Sequence, residues 1–164
     1  MKRLLFTLTT LLILTACSEK EDVFYTARYG VERVEIGIGL TSETDEYDDL
    51  RAQITANALS EAPVEAGGCY RLDFSRFDGG ELYIYPTAEA EPLVGTFTKS
   101  PAATEITFHY DERETLVTTA PYIAENGIQY TVLKTDLTEY YRTMMQTEII
   151  QSVVRLEYTN YLYY

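Results

Sequence analysis

Val34, Ile36, Ile38 and Leu40 alternate with Glu35, Gly37 and Gly39. Successive side chains of an extended chain leave opposite faces, so this alternation predicts a strand with one buried side. The stretch from Val23 to Tyr29 alternates similarly. From Cys69 onward the pattern becomes regular, with strands predicted to begin near Cys69, Glu81, Leu93, Glu105, Thr115 and Ile128. Starts about a dozen residues apart, with turn residues between them, point to an antiparallel barrel or sandwich. Asp78-Gly79-Gly80 and Asn126-Gly127 fall between apolar runs. Both pairs tolerate the positive φ of tight hairpins. Pro86, Pro92, Pro101 and Pro121 fall at or near segment ends, where a missing amide donor does least harm.

Two segments read differently. Asp49 to Glu61 fits a strand with Ala52, Ile54, Ala56 and Ala58 on one face, or a short helix with Leu50, Ile54 and Ala58 spaced by four; the strand is preferred. Asp136 with Glu139 three residues later has the form of a capping box, and Tyr141, Met145 and Ile149 recur every four residues. A helix is therefore predicted from about Leu137, followed by a last strand carried by Val154, Leu156 and Tyr158. The expected fold is mainly β: a single antiparallel β-barrel or β-sandwich with one short helix near the C-terminus.

The N-terminus is of another kind. Lys2 and Arg3 precede an apolar run from Leu4 to Ala16. That run is shorter than the roughly 20 apolar residues that cross a bilayer, so it reads as an export signal. It ends in Leu14-Thr15-Ala16-Cys17, which resembles the lipobox of bacterial lipoproteins. The resemblance implies cleavage before Cys17 and lipidation of its thiol and new amino group, giving a membrane anchor. Lys20-Glu21-Asp22 resembles the export signal that sends Bacteroidota-type lipoproteins to the exterior of the outer membrane. Without that signal the anchor would face the periplasm. The expected organisation is a signal peptide over 1–16, a lipidated Cys17 and acidic tether over 17–22, and one β-rich domain over 23–164.

Composition narrows the function. With 26 Asp and Glu against 13 Lys and Arg, the chain has a formal charge of -13. Loss of Lys2 and Arg3 makes the mature protein more acidic still, which excludes phosphate-rich nucleic acid as the expected partner. If Cys17 is lipidated, Cys69 has no partner for a disulfide, and its place at a strand start suits an inert, half-buried thiol. His109 lies on the face opposite Ile106, Phe108 and Tyr110, with Asp111 and Glu112 in the turn that follows. Neither triad order nor metal-ligand spacing surrounds it, so a surface histidine is expected. The acids Glu43, Asp45, Glu46, Asp48 and Asp49 lack the glycine and spaced glutamate of an EF-hand loop and read as solvated. No catalytic residue, metal or cofactor is expected.

The 15 tyrosines are the remaining chemical feature. Tyrosine suits a pleated, half-buried surface, and it also offers a stacking face with a polar tip. Tyr158, Tyr161, Tyr163 and Tyr164 crowd the C-terminus and are the candidate ligand surface, for a small ligand, a glycan or a protein.

Gly68-Cys69-Tyr70-Arg71-Leu72, Gly80-Glu81-Leu82-Tyr83-Ile84-Tyr85-Pro86, Gly95-Thr96-Phe97 and Ile106-Thr107-Phe108 together are similar to the meander of small lipocalin-like domains in bacterial lipoproteins. Tyr70 stands where lipocalins usually carry Trp. The resemblance implies a closed or nearly closed sheet whose apolar interior can hold one small ligand. The expected function is a lipid-anchored binding or structural module without chemistry of its own, with a lipocalin-like carrier or a carboxylate-dependent surface hydrolase as alternatives. A Cys17→Ala chain should incorporate no radiolabelled palmitate and should leave the membrane fraction.

Overall fold

The two alternating runs at the start of the domain have opposite phase, since Ala27 and Tyr29 are odd-numbered and Val34 to Leu40 even. One strand can bury both only by inserting an extra residue. The computed structural model, which describes residues 23, 25–42, 44–102 and 104–163 and side chains as far as Asn160, contains that insertion. Strand β1 (Tyr25–Leu40) pairs Val31 with Thr159 and Arg33 with Tyr158 on its neighbour, leaving Glu32 as the bulge. Ala27, Tyr29 and Val31 face inward before it, and Val34, Ile36 and Ile38 pack inward after it. The signal segment, Cys17, Lys20-Glu21-Asp22 and Tyr164 lie outside the described residues.

Seven further strands follow: β2 (Cys69–Arg76), β3 (Gly79–Tyr85), β4 (Leu93–Lys99), β5 (Glu105–Tyr110), β6 (Arg113–Ile123), β7 (Gln129–Asp136) and β8 (Ile150–Tyr163). Each pairs antiparallel with the next, and β8 returns to β1, closing an eight-stranded barrel in sequence order. The sandwich alternative is thereby removed. Eight strands give an interior that side chains can fill. Here Tyr29, Tyr70, Leu72, Phe74, Leu82, Ile84, Phe97, Ile106 and Phe108 occupy it. Phe74 meets Phe97 edge-on at 4.7 Å between centroids, and Tyr70 meets Phe108 at 5.3 Å.

Residues 49–61 are not a strand. Helix α1 (Asp48–Ser60) begins with Asp48 and Asp49 in its first turn, where carboxylates oppose the positive end of the helix dipole. It buries Ile54 and Ala58, four apart. Three of the four residues assigned to the expected strand face are alanines, the best helix formers, so propensity outweighed an apparent period of two. The predicted C-terminal helix is α2 (Thr138–Met145). Its capping box is half realised: Asp136 accepts the Thr138 amide at 2.8 Å, while Glu139 turns to Arg142 instead. Arg142 Nε donates to the Ile150 carbonyl at 2.7 Å and fastens the helix to β8. A second apolar cluster joins Ile54, Ala58 and Tyr141 of the helices to Leu40, Ile150 and Val153 of the long strands.

Strand directions sort the connections to two ends. The start of β1, the β2–β3, β4–β5 and β6–β7 turns and the end of β8 share one end; α1, the β3–β4 loop, the β5–β6 turn and α2 share the other. Asp78-Gly79-Gly80 does make a hairpin, but neither glycine has positive φ. Gly80 faces another irregularity, between Phe74 and Arg76, where a Cβ would press into the Asp73 carbonyl and the Ser75 amide. Close approach of backbones explains this glycine. Gly30 in β1 has open space around it. Gly80→Ala should therefore lower stability by about 1–3 kcal/mol, as overpacking does, while Gly30→Ala should leave the urea midpoint unchanged or raise it slightly.

Candidate functional site

Three tyrosines from separate strands converge on the outer wall. Tyr122 of β6 lies opposite Tyr130 of β7, and Tyr158 of β8 lies opposite both Val132 and Arg33. Ring centroids are 5.3 Å apart for Tyr122 and Tyr158, 6.1 Å for Tyr130 and Tyr158, and 6.4 Å for Tyr122 and Tyr130. The Arg33 guanidinium carbon sits 4.0 Å from the Tyr158 ring centre, and Arg33 Nε is 3.1 Å from Glu35. The bulge at Glu32 makes this possible, because it turns Arg33 to the outside beside Tyr158.

Arg33, Tyr122, Ala124, Glu125, Asn126 and Tyr130 line an open cleft of about 400 Å³. Its floor is fixed by the predicted Asn-Gly turn: Gly127 takes φ +81, its amide donates to the Ala124 carbonyl at 2.8 Å, and Asn126 Oδ1 accepts the Ile128 amide at 3.1 Å. Partial burial raises the Tyr130 pKa, and Glu32 beside it adds to the rise. Burial does the same for Tyr158, reinforced by Glu35. Both rings thus stay neutral donors at physiological pH. Tyr158 is only 9% exposed and supports the cluster, whereas Tyr122, at 40%, presents its face to solvent. The arrangement offers stacking faces, a cation and hydrogen-bonding groups in one concavity.

Beyond Tyr158, the predicted tyrosine cluster is spread along a strand. Tyr161 and Tyr163 pair through β8 with Tyr29 and Ala27 of β1, so they lie in the seam that closes the barrel. Sequence reasoning placed Tyr158 with the C-terminus, whereas its ring contacts come from Tyr122 and Tyr130, more than twenty residues earlier. It missed Arg33 altogether, although the reversal of phase after Val31 was the available signal.

The interior holds a polar group that the pattern also concealed. Val154, Leu156 and Tyr158 alternate as an apolar row, yet β8 turns that row outward. Val153, Arg155, Glu157 and Thr159 are the buried row. Arg155 Nε lies 3.1 Å from Glu157 Oε1 as an ion pair, off the axis a hydrogen bond would need. Tyr70 donates to the same carboxylate at 2.9–3.0 Å. Burial raises the Glu157 pKa, and Arg155 and the Tyr70 hydroxyl oppose that rise. Burial also holds Tyr70 well above the ordinary tyrosine range. Tyr141 is fully buried with no hydrogen bond to its hydroxyl, and burial followed by the Glu61 carboxylate pushes its pKa up to about 12.

Other candidates are simpler. His109 is part-exposed, 3.6 Å from Glu114, in an open cleft of about 470 Å³ with Asp111, Glu112 and Arg113. Cys69 is a free, half-buried thiol whose pKa burial raises, with Arg28 opposing. Asp45 and Glu46 form a 3-10 turn before α1. No group of three or more metal-ligating side chains forms among the described residues. Compared with known protein families, curated proteins and solved structures, the chain matches none of them.

The buried pair gives a test with a definite sign. A carboxyl whose folded pKa is raised binds its proton more tightly when folded, so this group favours folding more as pH falls through that raised value. Asp136, lowered mainly by its hydrogen bonds to Thr138, works the other way and loses its contribution as pH falls through its folded value. Arg155→Met removes the cation opposing the Glu157 shift. It should cost about 3–5 kcal/mol at neutral pH and recover part of that loss on acidification relative to the parent chain. The double variant Arg155→Met with Glu157→Leu should come within a few kcal/mol of the parent or exceed it, with the extra pH dependence gone. Denaturant midpoints across pH 4–8 would be the measurement.

Proposed function

We propose that the chain is a lipid-anchored lipoprotein of the outer membrane, facing the cell exterior, that works as a binding module without catalysis. The anchor rests on the lipobox at Cys17 and the orientation on Lys20-Glu21-Asp22. The carrying observation for binding is the convergence of Tyr122, Tyr130 and Arg33 around the outer-wall cleft. Planar faces flanked by Glu125, Asn126 and Arg33 suit a ligand with a stacking surface and a rim of hydroxyls, such as a glycan, since stacking supplies area and polar groups supply orientation.

The outer wall is favoured over the interior for a physical reason. A carrier of a small apolar ligand needs room inside, and the aromatic rings of β2, β4 and β5 are packed against one another there. Assembly by strand addition needs a strand with one side open along its length, whereas in the closed barrel each of the eight strands has an antiparallel neighbour on both sides, and only the later parts of β1 and β6 run past one of theirs. The hydrolase alternative calls for two facing acids with one raised pKa. The raised carboxyl, Glu157, faces Arg155.

Screening the mature protein against a glycan array should give binders whose affinity falls about tenfold or more with Tyr122→Ala and with Arg33→Ala, the equivalent of losing one good stacking or charge-assisted contact. The reading fails if array binding survives both substitutions, or if no glycan binds at all.

A further inference from the structure

One stretch of β1 has a neighbour on a single side. Pairing with β2 ends at Gly30 and Cys69. Val31 then makes the last bonds on that side, its amide to the Gly68 carbonyl at 2.9 Å and its carbonyl from the Gly67 amide at 2.7 Å. β8 stays paired with β1 as far as Leu40. Among the described residues, nothing bonds to the β2 side of the β1 backbone between Arg33 and Gly39. In a strand of L-residues, the face a side chain takes fixes the edge that its amide and carbonyl address. Val31 faces inward and bonds towards β2, so the inward-facing Val34, Ile36 and Ile38 present their amides and carbonyls to the open side. Their side chains are only half-buried, whereas Ala27, Val31 and Leu40 of the same strand are buried. An open cleft of about 400 Å³, lined by Val34 and the loop that follows α1, leaves this side accessible.

The barrel's other overhang is blunted. β5 stops pairing with β6 at Thr118, and the Thr119 amide makes one further bond, to the Thr104 carbonyl at 2.7 Å. Pro121 is next on that side and has no amide to offer, a common way of keeping an edge from pairing. From Arg33 to Leu40, β1 has no proline and no lysine. Its only charges there, Arg33 and Glu35, bind each other at 3.1 Å.

This edge is complementary to itself. Set antiparallel about Ile36, one copy pairs Ile36 with the partner's Ile36 and Val34 with the partner's Ile38, so the amides and carbonyls of all three positions find bonds. Between them, Glu35 falls opposite the partner's Gly37, and Arg33 opposite the partner's Gly39. No like charges meet, and glycine leaves room for both long side chains. On the inner side, Val34, Ile36 and Ile38 meet apolar side chains and complete a burial that one chain leaves half done. This residue-by-residue match selects a second copy as the occupant.

We infer that β1 from Arg33 to Gly39 is a homodimer interface, at which two barrels join edge to edge about a two-fold axis beside Ile36. An isologous pair uses up its edge and closes, so no fibre follows. The contact is at the low end of interface sizes, which makes the association weak and concentration-dependent. Arg33 leans over Tyr158 of β8, so the tyrosine cleft lies on the far side of the shared edge and stays open.

Full-length protein in a mild detergent would be weighed by native mass spectrometry over a concentration series to about 0.1 mM, above the micromolar range expected of such a contact. Particles of two chains should appear as the concentration rises. Gly37 is exposed, and a Cβ there meets only the Val154 carbonyl at 3.8 Å, so a side chain is tolerated. Gly37→Glu sets a carboxylate opposite the partner's Glu35 twice per dimer and should raise the dissociation constant roughly tenfold, while Gly37→Lys leaves it unchanged or lowers it. Disulfides read the register. Cα atoms of a non-hydrogen-bonded pair lie about 4.5 Å apart, within bridging range, whereas diagonal positions at about 7–8 Å are not. Co-expressed Glu35→Cys and Gly37→Cys chains should therefore give a linked dimer on oxidation, and either chain alone should not. Circular dichroism checks each fold, and the cysteine pair decides if Gly37→Glu does not fold. Protein that stays monomeric throughout the series overturns the inference. So does a dimer that Gly37→Glu and Gly37→Lys affect alike, or one that a single cysteine variant links as readily as the pair, since each puts the contact elsewhere.

Discussion

Everything in this barrel depends on β1 pairing along both its edges. It runs antiparallel to β2 from Tyr25 to Gly30 and to β8 over nearly its whole length, so it is the strand that turns a meander into a closed sheet. Closure satisfies the backbone groups that an edge would expose. It also imposes a constraint, because a strand long enough to span both the barrel and the helix layer must keep its apolar face inward throughout. The bulge at Glu32 meets that constraint by reversing the phase between Val31 and Val34. The same reversal moves Arg33 outward onto Tyr158, so the device that lets the sheet close also builds one wall of the candidate site.

The interior polar group sits where the two apolar clusters meet. Glu157 is flanked across the sheet by Val34 and Leu133 of the barrel core, while Arg155 lies opposite Ile36, which packs with the helices. Its Tyr70 partner comes from β2, so the hydrogen bond reaches over β1 and ties β8 to β2. A buried pair of this kind adds little to stability compared with an apolar replacement. Its specificity is greater: a one-residue slip of β8 would leave Arg155 and Glu157 facing solvent and Tyr70 without its acceptor. The pair thus marks the register of the strand on which closure depends.

Strand positions were legible because each of β2 to β7 is bounded by turn residues and alternates cleanly. The starts at Cys69, Leu93 and Glu105 coincide with the predicted ones. The regions that were not legible share a cause. In α1, alanine satisfies either period, and only helix propensity and the acidic first turn break the tie. In β8, Val154, Leu156 and Tyr158 form the more apolar row, but that row faces the outer wall while Arg155 and Glu157 pair inside. Local hydropathy cannot reveal a carboxylate whose arginine is two residues away and whose tyrosine is on another strand. For the candidate site, Tyr158 was visible as a tyrosine, but its neighbours Tyr122 and Tyr130 become neighbours only through the register of three strands.

The two faces of β8 divide the work of the molecule. Its inward face is occupied by groups that pair within the barrel, Arg155 with Glu157 and Thr159 with the Thr131 carbonyl. Its outward face supplies Tyr158, which is nearly buried beside Arg33 and packs edge-on against both Tyr122 and Tyr130, which also meet each other. A binding surface built this way loses little side-chain entropy when a ligand arrives, because strands on both sides already fix its rings. That is the physical reason to look for recognition on the wall of this barrel and not in its centre: the centre is already paired with itself, and the wall is ordered and open.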